Sequence, residues 1–237
     1  MIKAVIFDLD GTLLDRDRSL EAFIDEQHSR LADHLQHIPK DQFAKRFIEL
    51  DAKGYVWKDR VYQQLIEEFE IKGTDWETLL EDYVTNFHAH CIPFPNLISM
   101  LENLAEKSIR LGIITNGRGQ FQLDNILALG IKDYFEEILI SGWEGVSKPD
   151  PAIFQKALAR LDVSSDEAVY VGDHPQNDIQ AAQAIGMKAI WKKDPDWNCM
   201  DADGEIDDLN EIGRLVGQFK TQELKAQLQS KKLYDKK

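Results

Sequence analysis

The sequence predicts an α/β fold, a parallel sheet covered by helices, with an inserted all-helical domain. Two observations support this fold class. Short apolar runs rich in β-branched residues recur along the chain, and most are followed by a polar or glycine-containing loop and then a helical pattern. Strands of this kind that alternate with helices indicate a parallel sheet covered on both faces. The stretch from about Arg16 to His90 has no such run and shows helical patterns only, which indicates an insert.

Six runs are predicted to form the strands of the sheet. Five are short, almost continuously apolar and bounded by turn-forming residues, and the sixth is weak. The runs span residues 2–7, 109–114, 137–140, 168–171, 188–191 and a few residues near Ile206. Because these strands alternate with helices, the predicted sheet is Rossmann-like.

The strandless stretch carries two clear helix signals. Apolar residues recur at helical spacing in its first part, at Leu20, Phe23, Ile24, Leu31 and Leu35. Residues 74–77 read Thr-Asp-Trp-Glu, a capping box that predicts the start of another helix. Pro93 and Pro95 then mark the return to the α/β part of the chain.

These signals divide the chain into two predicted domains. Residues 1–15 and 92–237 form the Rossmann-like core domain, and residues 16–91 form the inserted helical domain. The core resumes at the helical pattern of residues 96–106. The tail, residues 209–237, alternates apolar and charged residues and is predicted to be a closing helix with a frayed, lysine-rich end.

The composition is that of a globular chain. Apolar residues make up 43% and charged residues 30% of its 237 residues, enough to build a full core. Every apolar run is interrupted before the roughly 18 residues that a membrane-spanning helix needs. Asp8 and Asp10 stand where a signal peptide would still be apolar, and Cys91 and Cys199 are too few and too isolated for a disulfide framework. We therefore expect a cytoplasmic protein, not attached to a membrane, with two free thiols.

The charge limits the class of partner. The net charge of -14 argues against nucleic-acid polymers, because binding them requires clustered Lys and Arg that neutralise phosphates. A small phosphorylated metabolite is compatible with this charge if a metal ion, a lysine and oriented backbone amides attract it locally. No segment of the sequence indicates a protein partner.

The first predicted strand ends in a paired-carboxylate motif. Residues 8–12 read Asp-Leu-Asp-Gly-Thr, and Asp8 and Asp10 would share one face if the strand continued, while Gly11 permits a sharp turn. Two carboxylates this close repel each other unless a cation lies with them. A lone Asp-x-Asp is usually a solvated acidic turn, but the full five-residue pattern is rare by chance.

Polar residues also follow the second and fourth strands. Thr115 and Asn116 precede Gly117, and such a hydroxyl and exposed amides can hold phosphate oxygens, although Asn-Gly is also a common turn. Asp173 and Asp178 add two carboxylates after the fourth strand. A residue at 177 or 178 is predicted to cap the following helix, which leaves Asp173 unexplained.

A lysine loop lies between these two segments in the sequence. Residues 147–151 read Ser-Lys-Pro-Asp-Pro, and Pro151 suits the first turn of a helix that runs to residue 161. Since ligands of open parallel sheets bind outside the carboxyl ends of the strands, Lys148 and the carboxylates are expected to meet there. Oxygen ligands with one lysine favour Mg2+ and a phosphoryl group, and the absence of a nearby Cys or His pair disfavours zinc.

The four segments, in this order, resemble the four motifs of the haloacid dehalogenase-like hydrolases. The resemblance spans residues 1 to about 212, and the helical insert resembles the C1-type cap of that superfamily. It implies that Asp8 is the nucleophile and a Mg2+ ligand, and that Asp10 is the general acid and base with its backbone carbonyl also on the metal. The remaining implied site residues are Thr115, Asn116 and Lys148 for the phosphoryl group, Asp173 as a direct metal ligand and Asp178 as a direct or water-mediated one.

The function implied by this resemblance is a magnesium-dependent phosphatase. It would hydrolyse the phosphomonoester of a small metabolite through an aspartyl-phosphate intermediate. Dehalogenases of the superfamily lack the second aspartate, and a phosphonatase would need a cap lysine that does not stand out. A phosphoglucomutase-like phosphoryl transferase and an idle binding protein on the same fold remain alternatives, and nucleoside monophosphates, sugar phosphates and phosphoglycolate remain open as substrates.

Two further features have competing interpretations. His174 follows Asp173 and is interpreted as a loop residue beside the metal site rather than as a base. Residues 53–60 mix a glycine, two aromatic residues and three basic residues, including Lys53 and Lys58. They form either a loop that meets the leaving group of the substrate, or a surface turn with Tyr55 and Trp57 packed into the helical domain.

Overall fold

The α/β part of the protein is built on one parallel sheet. The computed structural model describes residues 1–199 and 201–221. Its six parallel strands lie in the order β3-β2-β1-β4-β5-β6. Their bounds are Ala4–Phe7 (β1), Arg110–Thr115 (β2), Glu137–Ile140 (β3), Ala168–Gly172 (β4), Lys188–Lys192 (β5) and Gly204–Ile206 (β6). The Rossmann-like parallel sheet is therefore confirmed, and the weak strand near Ile206 is its edge strand β6.

The strand order reverses at β1, which determines where a ligand can bind. β1 is flanked by β2 on one side and β4 on the other, and Phe7 at its end pairs with Ile113 and Val171. All four residues of β1 are buried, as expected of a central strand covered on both faces. The loops that follow β1, β2 and β4 therefore leave the sheet side by side, at the switch point where open α/β sheets bind ligands.

The chain divides into two compact units. One comprises Met1–Leu14 and Pro93–Lys237, and the other comprises Asp15–Ile92. The second unit is described along its whole length and contains helices but no strand, as the sequence predicts for this stretch. Its α-helices are Arg16–Arg30 (α1), Ala32–Leu35 (α2), Lys40–Asp51 (α3), Lys58–Glu68 (α4) and Trp76–Asn86 (α5).

The predicted capping box at Thr74 is wrong. The N-cap of α5 is Asp75, whose carboxylate Oδ1 accepts the Thr78 backbone N–H at 2.8 Å and the Thr78 hydroxyl at 2.6 Å. Aspartate caps a helix at least as well as threonine, and its carboxylate oxygen here serves two donors at once. The first predicted helix is also interrupted, because the backbone leaves the helical conformation at Leu31, between α1 and α2.

The segment 53–60 matches neither of its two interpretations completely. Lys58 is the first residue of α4 and is only 2% exposed, and its ammonium pairs with Asp51, which is 1% exposed. The Asp51 carboxylate also accepts the Arg16 guanidinium at 2.7 Å and the Gly54 backbone N–H at 2.8 Å. Lys58 therefore forms a buried ion pair within the helical unit, a structural role that neither interpretation gave it.

The aromatic residues of the same segment behave differently from each other. The Trp57 ring lies edge-on to Tyr83, with 6.3 Å between the ring centroids, so it packs into the helical unit as the surface-turn interpretation expects. Tyr55 is 62% exposed, and its predicted packing into the core is wrong. Tyr55 follows the tight turn at Ala52–Gly54, and Trp57 immediately precedes α4.

We expect Lys58→Met to lower the free energy of unfolding by about 3 kcal/mol. Removing one partner of a buried ion pair typically costs about 3–5 kcal/mol, and the lower end applies because Arg16 still pairs with Asp51. Urea unfolding followed by circular dichroism measures the change. Lys45→Met, an exposed lysine of α3, is the matched control and should leave the curve unchanged. Equal midpoints for Lys58→Met and the control would contradict a structural role for Lys58.

The helices of the α/β unit follow its strands. Their bounds are Leu97–Glu106 (α6), Gly119–Ala128 (α7), Ser141–Glu144 (α8), Pro151–Arg160 (α9) and Ala181–Ala184 (α10). A π-helical turn, Pro175–Gln180, leads into α10. The predicted closing helix is present over residues 212–221, and the rest of that prediction lies outside the described residues. In the part of the chain that the structure describes, no helix has the length and apolar character of a membrane span.

Candidate active site

The loop after β1 places Asp8 at the centre of the sheet edge. The Asp8 backbone N–H donates to Val171 O at 2.9 Å, which continues the pairing with β4 by one residue, and the Asp8 side chain is 9% exposed. The chain then turns at Gly11, which has φ 81°. A Cβ at Gly11 would lie 2.5 Å from Oδ2 of Asp173, so glycine is required both for the turn and for the close approach of Asp173.

Three carboxylates converge beside this turn. Asp8, Asp173 and Asp178 each offer an oxygen, and the three oxygens lie within 4.8 Å of one another. Asp178 fits because residue 172 is glycine, where a Cβ would lie 2.4 Å from Cβ of Asp178. Its Oδ2 accepts the His174 backbone N–H at 3.0 Å. Closely spaced oxygen ligands that repel one another are suited to a hard divalent cation such as Mg2+.

Lys148 connects two of these carboxylates. Its Nζ lies 2.6 Å from Oδ1 of Asp8 and 2.6 Å from Oδ1 of Asp178, and 3.1 Å from the Tyr170 hydroxyl. The Asn116 side chain clamps the Lys148 backbone, since the Lys148 N–H donates to Asn116 Oδ1 and Asn116 Nδ2 donates to Lys148 O, both at 2.9 Å. The side chain of Asn116, predicted to bind the phosphoryl group, thus holds the lysine loop in place.

Burial and charge shift the titration of these groups. Burial, together with the carboxylates of Asp178 and Asp10, raises the pKa of Asp8 to about 7, although the Lys148 ammonium opposes the rise. Burial and the carboxylate of Asp8 likewise raise the pKa of Asp173 well above its usual range. Burial alone would lower the pKa of Lys148, but Asp178 and Asp8 outweigh it and raise that pKa. Three neighbouring carboxylates around one ammonium group would be favoured in their ionised forms by a divalent cation, so the charges of the site suit such a cation.

Asp10 lies outside the three-carboxylate group and contacts a residue that the sequence analysis missed. The Gln122 amide Nε2 donates to Oδ2 of Asp10 at 2.7 Å and to the Thr115 hydroxyl oxygen at 2.7 Å. Asn125 Nδ2 donates in turn to Gln122 Oε1 at 3.1 Å. Gln122 thus brings together the end of β2 and the second aspartate of the loop after β1.

The cap of the segment after β4 differs from the prediction. His174, rather than residue 177 or 178, is the N-cap of Pro175–Gln180. Its Nδ1 accepts the backbone N–H groups of Gln176 at 3.1 Å and Asn177 at 3.0 Å, which places the ring proton on Nε2. Burial lowers the pKa of His174, in keeping with this neutral ring. His174 lies beside Asp173 and has a capping function, as the loop interpretation favours over that of a base.

The structure brings most of the predicted site residues to one place, and it adds others. Asp8, Asp173, Asp178 and Lys148 are in contact or nearly so, and Asp10 and Thr115 share Gln122. The residues that sequence reasoning missed are Gln122, Asn125, Tyr170 and Trp191. Tyr170 contacts Lys148, and the Trp191 indole donates to the Asp173 carbonyl at 2.6 Å. In the sequence, these four residues are marked only by a polar or amphipathic side chain on a helix or strand next to the site.

Comparisons with known proteins agree with this arrangement. Residues 5–192 match the family model described as haloacid dehalogenase-like hydrolase. The chain is 33% identical to the glyceraldehyde 3-phosphate phosphatase of Pyrococcus abyssi, over 81% of this chain and 82% of that protein.

Two solved structures are similar along nearly the whole chain. The crystal structure of a HAD phosphatase from Thermococcus onnurineus has 30% identity and a TM-score of 0.63, and covers 91% of this chain and 98% of that one. A 2-haloacid dehalogenase from Pseudomonas syringae pv. Tomato has 32% identity and a TM-score of 0.61, with coverage of 92% and 100%. The chain is thus similar in sequence and structure both to a phosphatase and to a dehalogenase.

Proposed function

We propose a function from one premise: the chain belongs to the haloacid dehalogenase-like hydrolase family. It is a magnesium-dependent phosphatase that hydrolyses the phosphomonoester of a small metabolite through an aspartyl-phosphate on Asp8. The observation that carries the proposal is the buried Asp8 carboxylate, which shares Lys148 with Asp178 and lies beside Asp173. Phosphate-ester hydrolysis in a similar archaeal enzyme supports the same reaction.

The three carboxylates Asp8, Asp173 and Asp178 would hold the metal ion. When bound, Mg2+ would offset the charge of these groups and of the phosphoryl oxygens, which otherwise repel a carboxylate nucleophile. Lys148 contributes a second positive charge, fixed 2.6 Å from Asp8 Oδ1 by the Asn116 clamp on its backbone. Because this charge is already in place before the substrate arrives, little reorganisation is needed during the reaction.

The first half-reaction forms a bond between an Asp8 oxygen and phosphorus. The bond from phosphorus to the leaving-group oxygen breaks, and Asp10 gives its proton to that oxygen, so an alcohol departs. In the second half-reaction water attacks the phosphorus and Asp10 accepts its proton. The bond to Asp8 then breaks, and phosphate leaves with the carboxylate of Asp8 restored. The Thr115 hydroxyl supplies a hydrogen bond to a phosphoryl oxygen in both steps.

Asp10 also argues for a phosphatase over a dehalogenase. Displacing a halide leaves an anion that needs no proton, whereas an alkoxide leaving group does. A second carboxyl group that can give a proton to the leaving group, as Asp10 can on the nucleophile loop, is therefore needed only in the second case. An aspartate at position 10 therefore favours hydrolysis of a phosphate ester, the reaction of the similar phosphatases, over hydrolysis of a carbon–halogen bond, the reaction of the similar dehalogenase.

A substrate panel tests the proposed function. The protein is assayed with Mg2+ against glyceraldehyde 3-phosphate, phosphoglycolate, sugar phosphates, nucleoside monophosphates and 2-chloropropionate. We expect inorganic phosphate in equal amount to the alcohol, with kcat/KM of about 10^4 per molar per second or more for the best ester. EDTA should abolish turnover, and MgCl2 should restore it.

Two outcomes would contradict the proposal. Chloride release from 2-chloropropionate without phosphate release from any ester would assign the dehalogenase reaction instead. Conversion of one sugar phosphate to its isomer with little free phosphate would indicate a phosphoryl transferase.

A further inference from the structure

We propose that Gln122 is a positioning residue that aims Asp10 for proton transfer, and that Asn125 fixes the orientation of the Gln122 amide. The inference rests on the proposed function, since it assigns Gln122 a role in that reaction. Both residues lie on α7 and are buried, Gln122 to 2% exposure and Asn125 to 0%. A buried amide side chain costs free energy unless its donors and acceptor are used, so the partners of Gln122 are informative.

The hydrogen bonds around Gln122 define one orientation of its amide. An ionised carboxylate can only accept, so the Gln122 atom next to Asp10 is the donor Nε2, and Oε1 then accepts from Asn125 Nδ2 at 3.1 Å. The NH2 group of Gln122 then faces Asp10 and Thr115, each at 2.7 Å, and a third, longer contact of 3.3 Å reaches the Asn116 carbonyl. A flipped amide would set its oxygen against the Asp10 carboxylate and its nitrogen against the donor of Asn125.

The loop after β2 is shaped to accept this side chain. A Cβ at Gly117 would lie 2.7 Å from Cγ of Gln122, closer than real Cβ atoms approach, and 3.0 Å from its Cδ. The glycine of the Thr-Asn-Gly segment therefore makes room for Gln122, in addition to any role in a turn. Gln122 Nε2 also contacts Thr115, the last residue of β2, and Asn116, the first residue of this loop.

This arrangement assigns different tasks to the two oxygens of Asp10. Oδ2 accepts the Gln122 N–H, so Oδ1 is the atom that gives a proton to the leaving group and later takes one from water. Holding one oxygen restricts the rotation of the carboxylate. Without this restraint, Oδ1 would only rarely be oriented toward the leaving group or the attacking water. Thr115 likewise accepts from Gln122, so its own hydroxyl hydrogen is directed away from Gln122 and can serve a phosphoryl oxygen.

The first test is Gln122→Leu, which keeps the approximate volume and removes both donors. With an alkyl phosphate, we expect kcat to fall about 10- to 100-fold, less than the complete loss of an acid–base group causes. With p-nitrophenyl phosphate, the first half-reaction scarcely needs a proton, so we expect its rate to stay within about threefold while phosphoenzyme hydrolysis slows. Stopped-flow traces should therefore acquire a burst of nitrophenolate.

A double-mutant cycle with Asp10→Asn separates positioning from a general effect on the fold. In the Asp10→Asn background the proton transfer is already lost. Adding Gln122→Leu should then lower kcat by less than about twofold further, because the two residues act as one unit.

A third variant and a control complete the test. Asn125→Leu leaves both donors of Gln122 in place but frees its orientation, so it should give a smaller loss of kcat with the same burst. Gln120→Leu is the matched control, because Gln120 lies on the same helix, is exposed and bonds to Asp124 instead of to the site. It should match the unmodified protein.

Three results would overturn the inference. They are equal losses with both leaving groups, no burst, or a full additional loss in the Asp10→Asn background. If Gln122→Leu fails to fold, as thermal unfolding would show, Asn125→Leu supplies the same test. Failure of the proposed function is distinct, since the unmodified protein would then release no phosphate, whereas failure of this inference leaves phosphatase activity and its dependence on Asp10 intact.

Discussion

Asp8→Asn is expected to lower kcat/KM for every phosphomonoester by roughly 10^4- to 10^6-fold, the usual scale for loss of a nucleophile. The amide keeps the shape of the carboxylate, and its oxygen can still accept from Lys148, which lies 2.6 Å away. It cannot form the aspartyl-phosphate. Steady-state assays with Mg2+ measure the loss, and mass spectrometry of acid-quenched protein should find one phosphoryl group on the unmodified chain and none on the variant.

The fold of the Asp8 variant should remain intact, which makes the activity result interpretable. Because burial raises the pKa of Asp8, its ionised form lowers the stability of the folded protein. A neutral asparagine removes one of three neighbouring negative charges. We therefore expect a melting temperature in EDTA that is equal to or above that of the unmodified protein. Asp133→Asn, an exposed carboxylate of the same unit, is the control and should retain full activity. Substantial turnover by Asp8→Asn would rule out the covalent route.

The sheet and the acidic part of the site could be predicted because their signals are local. A strand buried on both faces must be apolar, so five of the six strands are readable from a few residues, whereas the edge strand β6, which is partly exposed, gives only a weak signal. Residues just after such strands meet because parallel strands share one carboxyl edge, which is why Asp8, Asp173 and Asp178 are adjacent although they lie far apart in sequence.

Contacts that depend on how elements pack were not predictable. Gln122 lies 112 positions from Asp10, and a glutamine on an amphipathic helix is ordinarily exposed. Only the rotation of α7 against the sheet turns it inward. The burial of Lys58 could not be predicted for the same reason, since a lysine in a polar segment is usually solvated and its partner Asp51 comes from another helix. The cap at His174 was missed because capping preferences favour Asn and Asp, both of which stand nearby.

Asp10→Asn is expected to lower kcat by about 100- to 10,000-fold with an alkyl phosphate, the usual contribution of a positioned acid or base. Asparagine is a close test of proton transfer alone, because its side-chain oxygen can still accept the Gln122 N–H that Oδ2 of Asp10 accepts at 2.7 Å. The backbone carbonyl, which the family resemblance places on the metal, is unchanged. The loss therefore reports the proton rather than the position of the loop.

The leaving group decides which half-reaction shows the loss. With p-nitrophenyl phosphate the departing phenolate needs little protonation, so the Asp10→Asn variant should form the phosphoenzyme quickly and hydrolyse it slowly, since no base accepts the proton of the attacking water. Rapid mixing should record a burst of one nitrophenolate per active site followed by slow turnover, with the phosphoryl group still on Asp8. Equal losses for both substrates without a burst, or release of chloride from 2-chloropropionate by the unmodified protein, would remove Asp10 from its place in the mechanism.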